Sequence, residues 1–178
     1  FIGRILGLNL SRKLFSKLFV FFGPFFKSKK IIDKNLDIFL NKNSSVNKKK
    51  IIKKMWENYG KTFIEYVFLY YFRKKKTHIT LSGEENLAQV IKKNKPVIFI
   101  SGHLANFELM SMEITKQNIP LATIYRPLNN FFLNPFMEFL RRRYVCSHQI
   151  KKGIKGVRET IEYVKKKYCI ALMIDQRV

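Results

Sequence analysis

From residue 77 to residue 178, short apolar runs alternate with segments of helical periodicity. An apolar run without polar alternation is typical of a strand covered on both faces of a sheet. The alternation predicts an α/β fold, in which a mixed sheet is flanked by helices. The pattern predicts strands at residues 78–81, 96–100, 121–125, 145–150 and 169–174, and helices at 84–93, 106–117, 130–143 and 157–167.

The first 72 residues show helical patterns only. Residues 31–40 and 46–72 carry apolar side chains at helical spacing. Residues 1–26 are apolar and aromatic with basic interruptions, and their longest nearly apolar stretch, 18–26, is shorter than the roughly 20 residues that span a bilayer. Such a segment fits a helix that lies in the membrane interface. The alternative is a helix packed on the rest of the domain.

The sequence predicts two regions. Residues 1–30 form an N-terminal, membrane-associated helical segment, and residues 31–178 form the N-terminal part of one α/β domain. The chain stops directly after the apolar run 169–174, whereas chain ends usually lie at the surface. We therefore expect a fragment from which the C-terminal part of the domain is missing.

Composition narrows the classes of function. The 17 Phe and 8 Tyr argue against disorder, and two cysteines, Cys146 and Cys169, exclude a disulfide-dense secreted scaffold. We expect both cysteines to be reduced thiols in a cytosolic environment. The 35 Lys and Arg against 12 Asp and Glu give a net charge of +23. That charge predicts an anionic partner, such as nucleic acid, anionic lipid or an acidic protein, although genome base composition also enriches lysine.

The densest group of reactive side chains follows the apolar run 96–100. His103 falls in the predicted strand-to-helix loop, Asn106 is a candidate helix cap, and Glu108 falls in the first helical turn. Open α/β sheets place their sites at this end of a strand. A carboxylate on one imidazole nitrogen leaves the other as a base, so Glu108 and His103 predict general-base chemistry on water or a substrate hydroxyl. The alternative is a His103 that only caps the helix.

Two further charged residues end predicted strands. Arg126 suits a phosphate or carboxylate through its bidentate geometry, although it can equally be an ordinary surface residue of a basic protein. Asp175 ends an apolar run, where a carboxylate needs a partner, and Arg126 is the partner that we expect. Zinc is a weaker interpretation because neither H-E-x-x-H nor C-x-x-C occurs, and His78 and His148 lack ligand spacing.

An ordered set of motifs covers most of the chain. The motifs are NLDIFLN (35–41), NYGKTFIEY (58–66), SGEENL (82–87), SGHLANFE (101–108), YRPLNN (125–130) and GIKGVRETIEYVKKKY (153–168), followed by DQ (175–176). Together they resemble the lipid A biosynthesis lauroyl/myristoyl acyltransferases, of the lysophospholipid acyltransferase superfamily with its H-x-x-x-x-E motif. Phe107 stands where that family usually has Trp, and Leu104-Ala105 replaces a commoner Phe-Gly pair.

The resemblance implies a glycerolphosphate acyltransferase-like fold and an activity. A fatty acyl chain would move from acyl carrier protein to a hydroxyl of a lipid A precursor, late in lipopolysaccharide biosynthesis of a Gram-negative bacterium. His103 would be the general base, and Glu108 would orient it. Arg126 would bind an anionic group or an oxyanion. The resemblance implies no metal or cofactor, and it adds three residues that line the pocket: Asn106, Arg158 and Asp175.

The resemblance also implies partners and a location. They are acyl carrier protein as donor, a lipid A precursor glycolipid as acceptor, and the anionic cytoplasmic face of the inner membrane, with no nucleic acid. Alternatives with the same His103 and Glu108 pair are transfer to another glycolipid, such as a mannosylated phosphoinositide, and thioester hydrolysis. A non-enzymatic alternative is a basic module that binds nucleic acid or membrane, although zinc-finger spacing and a Gly-x-x-Gly clamp are lacking.

Overall fold

The computed structural model describes residues 2–40, 46–75, 77–93 and 95–175, with only the backbone of Ile2 and Arg4. By its internal contacts the chain divides into two compact units, Phe1–Phe68 and Leu69–Val178. The first unit includes residues 31–68, which were predicted to belong to the α/β domain. That assignment, with its boundary at residue 30, stays a prediction.

The first unit is helical. Its elements are α1 (Ile2–Phe22), a 3₁₀ turn (Gly23–Phe25), α2 (Lys29–Phe39), α3 (Lys48–Glu65) and a second 3₁₀ turn (Tyr66–Phe68). The backbone of α1 leaves helical geometry at Gly7, whose φ of 71° suits a residue without a Cβ. The predicted helix 46–72 is divided by the turn after Glu65, and its last part belongs to the next helix of the chain.

Helix α1 packs directly against α3. A Cβ at Gly60 would lie 2.3 Å from the carbonyl oxygen of Phe15, so only a glycine permits this helix contact. The Nε of Arg12 lies 2.7 Å from Oε1 of the buried Glu65, which adds an ion pair between the two helices. Residues 1–26 therefore include a helix packed on its own unit, which was one of the two expectations for this segment. In the described part of the chain, no helix combines the length and the apolarity needed to cross a membrane.

The second unit is an α/β unit. Its elements in chain order are α4 (Leu69–Lys74), α5 (Glu84–Lys93), β1 (Ile98–Ser101), α6 (Glu108–Lys116), β2 (Leu121–Tyr125), α7 (Leu133–Tyr144), β3 (His148–Lys151), α8 (Ile154–Lys165) and β4 (Cys169–Met173). These correspond to the predicted strands and helices, with ends shifted by a few residues. The predicted α/β class is confirmed.

The predicted strand at residues 78–81 is wrong. Residues 77–83 form turns and irregular backbone. The imidazole of His78 stacks on the ring of Phe72, with centroids 4.7 Å apart, and its side chain is only 2% exposed. The segment thus contributes the buried His78 side chain to packing on Phe72 without pairing as a strand.

In the described ranges the sheet has four strands, in the order β1-β4-β2-β3. We expected a mixed sheet, and the four described strands pair only in parallel. The fully covered centre of the sheet is apolar, with Ala122, Ile150 and Ile170 at 0–2% exposure. Because the strands are parallel, all their C-terminal ends meet at one edge, and the residues that follow them are brought together there.

Candidate active site

A cavity of about 650 Å³ lies at the C-terminal edge of the sheet. Residues that follow β1, β2 and β3 line it together with the end of β4 and one side of α8. A space of this size suits an organic group rather than a single ion. Its polar and small lining residues include His103, Glu108, Arg126, Arg141, Lys152, Gly156 and Thr160.

His103 is held by Asp175 through two hydrogen bonds. The backbone N–H of His103 donates to Oδ2 of Asp175 at 2.9 Å, and the ring Nδ1 lies 2.8 Å from Oδ1. The two residues meet because β1 and β4 are neighbours in the sheet and Ser101 is paired with Met173. Gly102 lies between them, and a Cβ there would be only 3.3 Å from the Asp175 carboxyl carbon.

This contact determines which imidazole nitrogen is available as a base. Hydrogen bonds from the backbone N–H and the ring of His103 hold the pKa of the Asp175 carboxyl below its ordinary value. An ionised carboxylate only accepts hydrogen bonds, so Nδ1 of His103 carries the proton. The lone pair of a neutral ring is then on Nε2. The imidazole is 31% exposed, so a substrate can reach it.

In the structure, Asp175 and Glu108 each contact a residue other than the expected partner. Glu108 was expected to orient His103, and Asp175 was expected to pair with Arg126. Asp175 instead contacts the imidazole, and Oε1 of Glu108 lies 2.7 Å from Nε of Arg141. Both side chains of that ion pair are below 10% exposed. The local reason is topological, because the strand pairing of β1 with β4 aligns the loops that carry His103 and Asp175.

Arg141 is a site residue that the sequence analysis missed. It belongs to the run Arg141-Arg142-Arg143, which resembles an ordinary basic helix end. The helical spacing did indicate that Arg141 is buried. Arg141 lies four residues after Met137 and directly after Leu140, and both of these apolar residues are on the buried face of α7. A guanidinium on a buried helix face requires a carboxylate partner.

The other predicted binding residues differ in their positions. Arg126 lines the cavity with its side chain exposed. Asn106 and Arg158 are not among the residues that line it, and their assignment stays a prediction. Gln176, the second residue of the DQ motif, lies outside the described residues. Within the described ranges, no three His, Cys, Asp or Glu side chains lie together as the ligands of a metal ion would.

Ala105 adopts an unusual backbone conformation in the loop that carries His103. Its φ is 47°, in the left-handed region that a Cβ disfavours. The loop must turn sharply between the end of β1 and the start of α6 while presenting His103 to Asp175. The loop geometry therefore contains local strain beside the predicted base.

The fold and the site together define an α/β protein with a carboxylate-held histidine at the open end of a parallel sheet. A comparison with family models matches residues 1–178 to the family described as bacterial lipid A biosynthesis acyltransferase. The match covers the whole chain, and the chain belongs to that family. A comparison with curated proteins found no match. The protein is accordingly an acyltransferase of lipid A biosynthesis.

The left-handed backbone of Ala105 predicts that replacement by glycine does not destabilise the protein. We expect Ala105→Gly to leave the free energy of unfolding unchanged or raise it by about 0.5–1 kcal/mol, because relief of the left-handed strain offsets the added freedom of the unfolded chain. The matched control is Ala88→Gly in the exposed face of α5, which should cost about 1 kcal/mol. Urea unfolding measures both, and equal losses would contradict the strain at Ala105.

The buried ion pair predicts a large loss when one partner is removed. Glu108→Gln leaves the guanidinium of Arg141 without this counter-charge and should destabilise the second unit by about 3–5 kcal/mol. The double variant Glu108→Gln with Arg141→Met removes both charges and should recover most of that loss. Hydrogen exchange of the amides of β2 and β4 measures both. A single variant as stable as the wild type would contradict the ion pair.

Proposed function

We propose that the protein transfers a fatty acyl chain from acyl carrier protein to a hydroxyl of a lipid A precursor, with His103 as the general base. The observation that carries the proposal is the Asp175-bound imidazole at the wall of a cavity of about 650 Å³. The cavity offers space for reacting organic groups, and the tautomer set by Asp175 leaves Nε2 as the base. These two features support base-assisted acyl transfer at this place.

The proposed reaction proceeds by direct transfer. Nε2 of His103 takes the proton of the acceptor hydroxyl while its oxygen attacks the thioester carbonyl carbon. The carbon–sulfur bond then breaks, and the imidazolium returns the proton to the leaving thiolate, so that a free thiol and an ester result. Asp175 stabilises the imidazolium that forms between these steps, because its carboxylate lies 2.8 Å from Nδ1.

Positive groups in the cavity wall suit the charges of this reaction. Arg126, Arg141 and Lys152 line the cavity, and an oxyanion forms on the thioester carbonyl during attack. In the proposal, Arg126 binds an anionic group of a substrate or the oxyanion, as the family resemblance implies. Glu108 positions Arg141 through their buried ion pair, and Asp175 contacts the imidazole. Orientation of His103 by Glu108, which the family resemblance implies, stays a prediction.

The proposed location is the cytoplasmic face of the inner membrane. Exposed aromatic side chains support it, since Phe21, Phe25 and Phe26 are 69%, 81% and 84% exposed in the first unit. Aromatic groups near basic residues are suited to the interface of an anionic bilayer. The net charge of +23 also favours encounter with the two proposed partners, an acidic carrier protein and a phosphorylated glycolipid.

The mechanism predicts the effects of two substitutions. His103→Ala removes the base and should lower acyl transfer by at least about 10³-fold. Asp175→Asn allows the tautomer of His103 that is protonated at Nε2, and it should lower the rate of acyl transfer by about 10²–10⁴-fold. Asp33→Asn on α2, the same chemical change far along the chain, is the matched control and should leave the rate unchanged.

The measurement is transfer of labelled acyl chain from acyl carrier protein to a lipid A precursor in mixed micelles. Unchanged unfolding transitions establish that each variant is folded. Wild-type rates in folded His103→Ala would contradict the base assignment. Release of free fatty acid at the same rate with and without the glycolipid would instead identify a thioester hydrolase and contradict the proposed transfer.

A further inference from the structure

A second cavity, of about 370 Å³, lies at the N-terminal edge of the same sheet. Residues that precede β2, β3 and β4 line it, together with the ends of α4 and α7. Parallel strands carry these residues to the edge opposite His103, and the five residues of β2 alone separate the two edges by about 13 Å. The cavity is therefore distinct from the proposed acyl transfer site.

Three arginines are the charged residues of this second cavity apart from His148. Arg73, Arg142 and Arg143 line it, and its lining includes no Asp or Glu. Among the residues that the structure describes, these three arginines make no ion pair with a carboxylate. The cavity is therefore a concentrated positive charge without a matching anion from the described protein residues.

Neutral acceptors fix the positions of two of these side chains. The NH1 group of Arg73 donates to Oγ1 of Thr115 at 2.7 Å and to the carbonyl of Val145 at 3.3 Å. Arg142 donates to the carbonyls of Ser147 and Gln149 at 3.2 and 3.5 Å. These bonds orient the guanidinium forks in advance, and they leave the net charge of each fork uncompensated.

Helix dipoles account for only part of the arrangement. Arg73, Arg142 and Arg143 lie in the last turns of α4 and α7, where cations are favoured. Each helix end carries roughly half a negative charge, so two ends offset about one of the three positive charges. A bound dianion would compensate the remaining two, and fixed guanidinium forks match the oxygens of a phosphate.

We propose that this second cavity binds a phosphate dianion, either free or as a phosphate monoester. The volume of about 370 Å³ exceeds that of the phosphate group and leaves room for the organic part of a monoester. Tyr144, His148 and Tyr168 are also among the lining residues, and their ring faces and polar tips suit such a group. The ligand comes either from solution or from a lipid headgroup, and the two sources are separated by experiment.

The three histidines of the chain provide a direct probe of this site. His148 lines the second cavity, His103 lines the first, and His78 is buried elsewhere at 2% exposure. Titration of the protein with inorganic phosphate at constant ionic strength should shift the imidazole signals of His148 saturably in NMR spectra. Absence of a saturable shift of His148 would overturn the proposal.

Charge-matched variants distinguish binding in the second cavity from general attraction of phosphate by the net charge of the protein. We expect Arg142→Gln with Arg143→Gln to weaken phosphate binding at least about tenfold, because two charge-assisted contacts are lost. The control, Lys92→Gln with Lys93→Gln on the exposed end of α5, removes the same charge and should change the affinity less than about twofold. Equal effects of the two pairs would overturn the proposal.

A milder variant keeps the test valid if the double change unfolds the protein. Arg143→Gln alone removes an exposed side chain that makes no hydrogen bond to another described residue, so folding should be retained. It should still weaken phosphate binding several-fold, and an unchanged affinity in this folded variant would overturn the proposal.

Vesicles distinguish the two sources of the phosphate. Phosphatidylcholine vesicles with phosphatidic acid present a phosphate monoester, and vesicles with phosphatidylglycerol present only a diester. If Arg142→Gln with Arg143→Gln weakens sedimentation with phosphatidic acid vesicles more than the lysine control does, the ligand is a lipid headgroup. If both variants bind vesicles equally while only the arginine variant loses inorganic phosphate, the ligand is a dissolved phosphate.

Discussion

The parallel pairing of β1 with β4 is the constraint on which the site depends. Residues 72 positions apart meet because Ser101 and Met173 are register partners at the ends of neighbouring strands. That register places the carboxylate of Asp175 on Nδ1 of His103 and thereby sets the tautomer of the imidazole. A slip of one residue would turn the alternating side chains of β4 to the other face of the sheet and disturb the contact.

Charge is distributed differently at the two edges of the sheet. At the C-terminal edge, Asp175 hydrogen-bonds to the imidazole of His103 and Glu108 pairs with Arg141, so both carboxylates of the proposed acyl transfer site have a partner. At the N-terminal edge, Arg73, Arg142 and Arg143 surround a cavity with no lining carboxylate. One parallel sheet thus presents a site suited to proton transfer and a separate one suited to an anion.

Local sequence patterns predicted much of this fold and part of the site. Apolar runs located all four strands, and the position of His103 after β1 placed it at the correct edge. The partners of the two carboxylates could not be predicted, because they depend on strand order, which local periodicity does not contain. The predicted strand at 78–81 failed for a related reason, since His78 is buried by tertiary packing on Phe72 rather than by pairing with another strand.

A measurement of the tautomer of His103 tests most directly the claim that Asp175 leaves Nε2 available as the base. Nitrogen-15 NMR of the imidazole, assigned with a His103→Gln variant, reports which ring nitrogen carries the proton in the neutral form. The hydrogen bond from Nδ1 to the ionised Asp175 predicts protonation at Nδ1, with Nε2 free to accept a proton. A neutral ring protonated at Nε2 would contradict the account, because Nε2 would then carry a proton and be unable to act as the base.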